Sequence, residues 1–121
     1  MKISKNAPND LFENKVFWNI NIDGANWIRF DATMEEAKNI LAERGSVCIQ
    51  LKLQNMVSDY SILFLSLLLD KAAERAMTNI QEDDSMQDVN VISESYETYN
   101  SNNDKVFMLC LYLDKNELII N

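Results

Sequence analysis

The apolar residues that follow position 14 recur at every second residue, which is the spacing of a strand with one buried face. The residues that would share this face are Val16, Trp18, Ile20 and Ile22. Asp23 and Gly24 form a typical turn, and an extended pattern resumes over residues 27–31. The sequence therefore predicts a β-hairpin here.

Two helices and a third strand are predicted next. Thr33 is a typical N-cap, Glu36 completes a capping box, and Gly45 is a typical C-terminal stop. Residues 46–54 alternate again and predict a strand. Residues 61–80 then predict a longer helix, capped by Ser58 or Asp59. We expect it to be the central helix of the core, because its first half is almost entirely apolar.

The last third of the chain predicts three more strands. Residues 81–88 form an acidic connection, and the weak alternation of residues 89–99 is typical of a strand near a sheet edge. Residues 106–113 are apolar throughout, which predicts a central strand covered on both faces. A short last strand is predicted over residues 118–120.

The elements follow the order β-β-α-β-α-β-β-β, which indicates an α+β fold. Its mostly antiparallel sheet would pack on one long central helix, with a shorter helix beside it. A length of 121 residues, 47% of them hydrophobic, suits a single domain. We expect residues 1–14 to form a loosely ordered arm, with Leu11 and Phe12 placed to tuck against the body, and residues 15–121 to form the domain.

The residue types disfavour an enzyme. The chain has no histidine, which removes the commonest general base and the commonest zinc ligand. Its two glycines, Gly24 and Gly45, both serve turns, so no phosphate-binding glycine loop is expected. We therefore predict no catalytic residues, no cofactor and no metal.

The two cysteines, Cys48 and Cys110, lie in apolar runs, 62 residues apart and without a paired spacing. We expect both to be reduced and buried, as in a cytoplasmic protein, rather than joined as a disulfide across neighbouring strands. The longest apolar run, residues 60–69, is about half of the ~20 residues that a membrane-spanning helix needs.

The net charge of −8 changes the range of expected partners. An acidic chain without a basic cluster is not expected to bind nucleic acid directly, nor an anionic membrane. The charge is also unevenly distributed, because residues 61–121 carry a net charge of −7 and residues 1–60 a net charge of −1.

The acidic residues concentrate where basic residues are missing. No Lys or Arg lies between Arg75 and Lys105. One interpretation is a solvated edge that prevents aggregation between strands. We favour a patch that binds a basic protein, because carboxylates pair with Lys and Arg and tyrosine rings supply anchoring area. The predicted patch consists of Glu82, Asp83, Asp84, Asp88, Glu94, Tyr96, Glu97, Tyr99 and Asp104.

In size, acidity and this Asp/Glu/Tyr segment from Glu82 to Asp104, the chain resembles the immunity proteins of bacterial toxin systems, including contact-dependent growth inhibition. The resemblance implies a small cytoplasmic α+β protein that neutralises a basic toxin or nuclease domain. It implies a mechanism in which the acidic surface covers the toxin's substrate cleft. The carboxylates would take the place of the phosphates, and Tyr96 and Tyr99 would be the anchors.

There are three alternatives: another kind of inhibitor, a chaperone and an enzyme. A phage or plasmid DNA mimic that inhibits a nuclease would spread its acids over a long surface, whereas the first 60 residues here are nearly neutral. An acidic secretion chaperone fits in size, but known chaperones of this kind begin with a helix and this chain is predicted to begin with a hairpin. An enzyme that uses a buried Asp or Glu is the third.

Overall fold

The described part of the chain folds into a four-stranded sheet with two α-helices on one face. The computed structural model describes residues 8–20, 26–53, 59–86, 88–99, 101–103 and 105–114. The strands are β1 (Lys15–Ile20), β2 (Ser46–Leu53), β3 (Val91–Tyr99) and β4 (Lys105–Leu113), and the helices are α1 (Asn26–Arg44), α2 (Asp59–Glu82) and a short 3-10 helix (Asp84–Met86). The sheet order is β1-β2-β4-β3, and two of its three pairings are antiparallel. The predicted α+β class and single small domain are confirmed.

The predicted second strand and the helix start at Thr33 are wrong, because one helix covers residues 26–44. Trp27, Phe30, Met34, Ala37 and Leu41 follow helical spacing and pack into the core. The ring centroids of Trp18 on β1 and Phe30 on α1 lie 4.8 Å apart. The predicted turn at Asp23 and Gly24 lies outside the described residues. Helix α1 thus replaces the predicted hairpin.

Strand β1 pairs with β2 in parallel, which a hairpin cannot produce. Helix α1 instead provides the crossover of a β-α-β unit. The described elements therefore follow the order β-α-β-α-β-β, and the predicted last strand, residues 118–120, lies outside the described residues. The strand predictions for β2, for the edge strand β3 and for the central strand β4 are confirmed.

The C-terminal end of α1 and the two sides of α2 agree with the sequence pattern. Gly45 has a φ of +86°, and its N–H donates to the Leu41 carbonyl at 2.8 Å, which ends α1 as expected of a C-terminal glycine. The core side of α2 includes Leu65, Leu69, Ala72, Ala76 and Ile80. The predicted solvent side, Asp70, Lys71, Glu74 and Arg75, is exposed.

Strand β4 is buried on both faces. Phe107, Leu109 and Leu111 join the core under the helices, whereas the alternate residues of β4 belong to a second cluster on the opposite face. Leu11, with 1% of its surface exposed, covers this second cluster, and Phe12 packs beside it. Part of the segment predicted as a loose arm is thus packed against the sheet.

The prediction of two reduced cysteines is wrong, because Cys48 and Cys110 form a disulfide between β2 and β4. They are directly opposite each other in the register, with Cα atoms 4.2 Å apart. The Cys48 N–H donates to the Asn14 carbonyl, away from β4, so this is a non-hydrogen-bonded pair, in which facing side chains approach most closely. Strand register, which the sequence does not specify, brings the two sulfurs together.

Candidate functional site

Three of the predicted acids lie on the surface at the C-terminal end of α2 and in the connection that follows it. Glu82 is the last residue of the helix, Asp84 opens the 3-10 helix, and Asp88 precedes β3. All three are exposed. We call Glu82, Asp84 and Asp88 the acidic end. The last turn of α2 has no basic residue, so the carboxylates add to the negative pole of the helix dipole.

Asp83 lies between these acids but faces another helix. Its carboxylate accepts a hydrogen bond from the Lys38 ammonium at 2.8 Å, and the Ser85 hydroxyl and backbone N–H also donate to it. The Lys38 hydrogen bond is the main cause that lowers the pKa of Asp83 from 3.8 to about 2, with the Ser85 bonds adding to it. Asp83 therefore joins α2 to α1.

The Lys38 ammonium is largely buried and contacts two carboxylates. Its side chain is only 11% exposed and lies 3.1 Å from the Glu35 carboxylate as well. Burial alone would lower the pKa of the ammonium, but the hydrogen bonds to Asp83 and Glu35 outweigh it and raise the pKa above 10.5. This ion pair fixes the position of the acidic end relative to α1.

Strand β3 divides its predicted site residues between the two faces of the sheet. Successive side chains of a strand point to opposite faces. Glu94 and Tyr96 face the cluster opposite the helices, paired with Cys110 and Met108, whereas Glu97 and Tyr99 point to the other face. The four side chains therefore do not form one patch.

The anchor role predicted for Tyr96 does not fit its burial. Its side chain is 6% exposed, its ring lies edge-on to Phe12 with centroids 5.6 Å apart, and its hydroxyl donates to the Glu94 carboxylate. The ring is thus occupied by contacts within the chain. Tyr99, in contrast, is 63% exposed.

Glu97 and Tyr99 lie far from the acidic end. Residues 91–97 of an extended strand span about 20 Å, and the acidic end adjoins the beginning of β3. Glu97 also pairs with Lys105 at 3.1 Å, which compensates its charge. The remaining predicted residue, Asp104, lies outside the described residues. Of the predicted site residues, Glu82, Asp84 and Asp88 thus lie exposed within seven residues of chain, and Asp83 between them is turned to α1.

Two concave surfaces were missed by the sequence analysis. A polar cleft of about 530 Å³ lies between α1 and α2, where the Arg75 guanidinium donates to Asp31 at 2.9 and 2.7 Å and lies 5.2 Å from the Trp27 ring. The sequence analysis predicted a hairpin with Trp27 and Asp31 on a strand, so it could not predict a cleft between two helices at these residues. A smaller groove of about 350 Å³ lies beside the acidic end, between α2 and the start of β3.

The metal-ligand pattern, the helices and the comparisons with known proteins add the following findings. The described residues contain no group of three or more His, Cys, Asp or Glu side chains placed to hold a metal ion. No helix among them is long and apolar enough to cross a membrane. No protein-family profile and no curated protein matches this sequence.

Proposed function

We propose that this protein is a non-enzymatic inhibitor that binds a basic protein domain through the acidic end of α2. The observation that carries the proposal is the accumulation of exposed carboxylates at the negative pole of a helix whose last turn has no basic residue. Such a surface attracts Lys and Arg side chains of a partner and repels phosphates.

The contrast with the other acids supports this choice of surface. Asp83 is held by Lys38, and Glu97 is held by Lys105. Glu82 and Asp88 form no ion pair with any residue of the described ranges, so their charges face solvent. A partner's basic side chains can therefore pair with them without displacing an existing contact.

The mechanism we propose is occlusion of a cleft. A toxin or nuclease domain holds its anionic substrate with basic residues, and the three carboxylates of the acidic end would occupy those residues in place of phosphates. The immunity proteins of bacterial toxin systems, which the sequence resembles, act on such basic partners. A compact acidic end suits this mode better than the mimicry of a long DNA surface.

The disulfide bears on the compartment in which this binding takes place. Disulfides persist in oxidising compartments and are rare in the reducing cytosol. The Cys48–Cys110 bridge therefore leads us to place the protein in an oxidising compartment, in place of the cytoplasm expected from the sequence.

The test identifies a partner and then removes the charge that should bind it. Proteins captured by the oxidised wild-type chain are identified by mass spectrometry, and the dissociation constant is measured by calorimetry. A variant with Glu82→Lys, Asp84→Lys and Asp88→Lys should bind about a hundredfold more weakly or worse, because like charges then face the basic cleft. Folding should be nearly unchanged, since exposed charges contribute little to stability.

The matched control reverses three exposed acids elsewhere, Glu36, Glu43 and Asp70. This variant has the same net charge as the first, so a difference between the two reports the location of the interface. If the control loses binding while the acidic-end variant keeps it, the interface lies elsewhere and the proposal is wrong.

A further inference from the structure

The groove beside the acidic end opens the main core to the surface. It lies where the last two turns of α2 meet the start of β3 and has a volume of about 350 Å³. That volume is near the lower limit of the ~300–1,000 Å³ of ligand pockets and is suited to a single large side chain. Its apolar lining is Met77, Ile80, Met86, Val89 and Val91.

The apolar residues that line the groove differ in how far they are buried, and two of them are flexible methionines. Ile80, Met86 and Val91 are buried and belong to the main core cluster. Met77 and Val89 are half-buried and pack against that cluster. Methionine is unbranched and polarisable, so a groove with two methionines adjusts its shape to the side chain that enters it.

Acidic residues lie beside the groove: the Asn90 side chain donates to the Asp114 carboxylate at 3.0 Å, and Asp88 directly precedes the lining residue Val89. No charged residue lines the groove itself. Its polar lining residues, Gln81 and Asn90, are exposed and lie close in the chain to Glu82 and Asp88. Met86, at the bottom of the groove, lies two residues after Asp84 and two residues before Asp88. No Lys or Arg occurs between Arg75 and Lys105, so nothing in this stretch of chain offsets these acidic residues. Charge complementarity therefore requires basic residues beside whatever enters.

We propose that this groove receives one large apolar side chain from the basic partner, such as Leu, with Lys or Arg residues on either side of it. The inference rests on the proposed function and adds the anchor that the surface otherwise lacks. Binding energy at interfaces is concentrated in a few apolar anchors seated in pockets, and surrounding polar contacts exclude water. The groove supplies this role, which the sequence analysis gave to Tyr96 and Tyr99.

The test uses a defined peptide and observes the groove directly. The probe is a short synthetic peptide with one Leu flanked on both sides by Lys and Gly, and two control peptides replace the Leu by Ser or every Lys by Gln. The protein is labelled with ¹³C on its methionine methyl groups. We expect the probe to shift the signals of Met77 and Met86, whereas Met34 and Met108, which are buried elsewhere, keep their positions.

Both control peptides should bind about tenfold more weakly than the probe, because each lacks one of the two interactions. If the Ser peptide shifts Met77 and Met86 as strongly as the probe does, charge alone accounts for binding and the inference is wrong. If the Gln peptide binds as well as the probe, the occupant need not be basic, which also overturns it. An absence of shifts at both methionines with any peptide has the same consequence.

A pair of variants separates the groove from the fold. Met77→Ala should weaken probe binding about tenfold. Leu67→Ala, an equally drastic truncation of an exposed residue on the same helix, should leave binding unchanged. Equal affinities for the two variants would contradict the inference. The proposed function is judged separately, by the captured partner and the acidic-end charge reversal, so its failure is distinguished from a failure of the groove inference alone.

Discussion

At the scale of single residues, Asp83 differs from the acids around it because it has a partner on another helix. Lys38 precedes it by 45 residues, and their charged atoms are 2.8 Å apart. The sequence placed Asp83 correctly in an acidic stretch and contained nothing to indicate this pairing. Likewise, the composition around Tyr96 suggested an exposed anchor, whereas the pleat of β3 turns its ring to the buried face.

The ion pair predicts a defined dependence of stability on pH. The carboxyl group of Asp83 has an ordinary pKa of 3.8 and a folded-state pKa of about 2, so its contribution is complete above pH 3.8 and is lost as the pH falls through 2. Asp83→Asn should therefore lower the free energy of unfolding at about pH 6, and its difference from the wild type should shrink towards about pH 2. Urea unfolding at a series of pH values measures this difference.

Asp70→Asn provides the control for the loss of one carboxylate, because Asp70 is exposed on the solvent side of α2. A difference between Asp83→Asn and the wild type that stays constant from about pH 6 to about pH 2 would mean that the Lys38 contact does not stabilise the ionised carboxylate in solution.

At the scale of elements, long patterns were predicted well and short ones were not. The long helix α2, the strand β2 and the apolar strand β4 have enough residues to separate the two periodicities. Residues 27–31 are too few to distinguish the helical spacing from that of a strand, and the turn pattern before them favoured a strand. The helical spacing of Trp27, Phe30 and Met34 becomes clear only over the whole of α1. Strand pairing was not predictable, because it depends on contacts between distant segments.

The disulfide between β2 and β4 predicts a large loss of stability when it is removed. The two cysteines are 62 residues apart, and closing a loop of that length restricts the unfolded chain by about 4 kcal/mol. The double variant Cys48→Ala and Cys110→Ala should lose about that much free energy of unfolding, measured with denaturant under oxidising conditions.

Reducing agent serves as the internal comparison for this variant. It should destabilise the wild type by a similar amount and leave the double variant unaffected. Thiol counting on the denatured, unreduced wild type should find no free thiol, and a count of two would contradict the bridge.

At the scale of the whole molecule, the charge distribution predicts what the protein avoids. With a net charge of −8, the protein repels phosphate backbones. Gel-shift assays with DNA and RNA at low salt, where charge is least screened, should show no complex. A salt-sensitive complex at or below about a micromolar protein concentration would contradict this expectation.

The sequence was sufficient to predict which segment of the chain is a candidate binding site, but not which of its residues share one surface. Counting charges was enough to single out residues 82–104 as acidic and poor in basic residues. Within that segment, the acids of the acidic end are exposed, Glu97 is ion-paired and Tyr96 is buried. These differences depend on how the segment packs in the sheet, which charge counting does not show. The groove was also invisible in the sequence, because its lining residues come from three different elements and connections.

The sheet order β1-β2-β4-β3 has a consequence for the protein as it is synthesised. Strand β4 pairs with both β2 and β3, yet it leaves the ribosome after them. Until it emerges, the nascent chain has a β-α-β unit in which the edge of β2 that later pairs with β4 is open, and a bare apolar underside of α2. Unpaired edges and exposed apolar surface promote aggregation. Translation that stalls before Lys105 therefore leaves an aggregation-prone fragment on the ribosome, and rapid completion of β4 protects the protein.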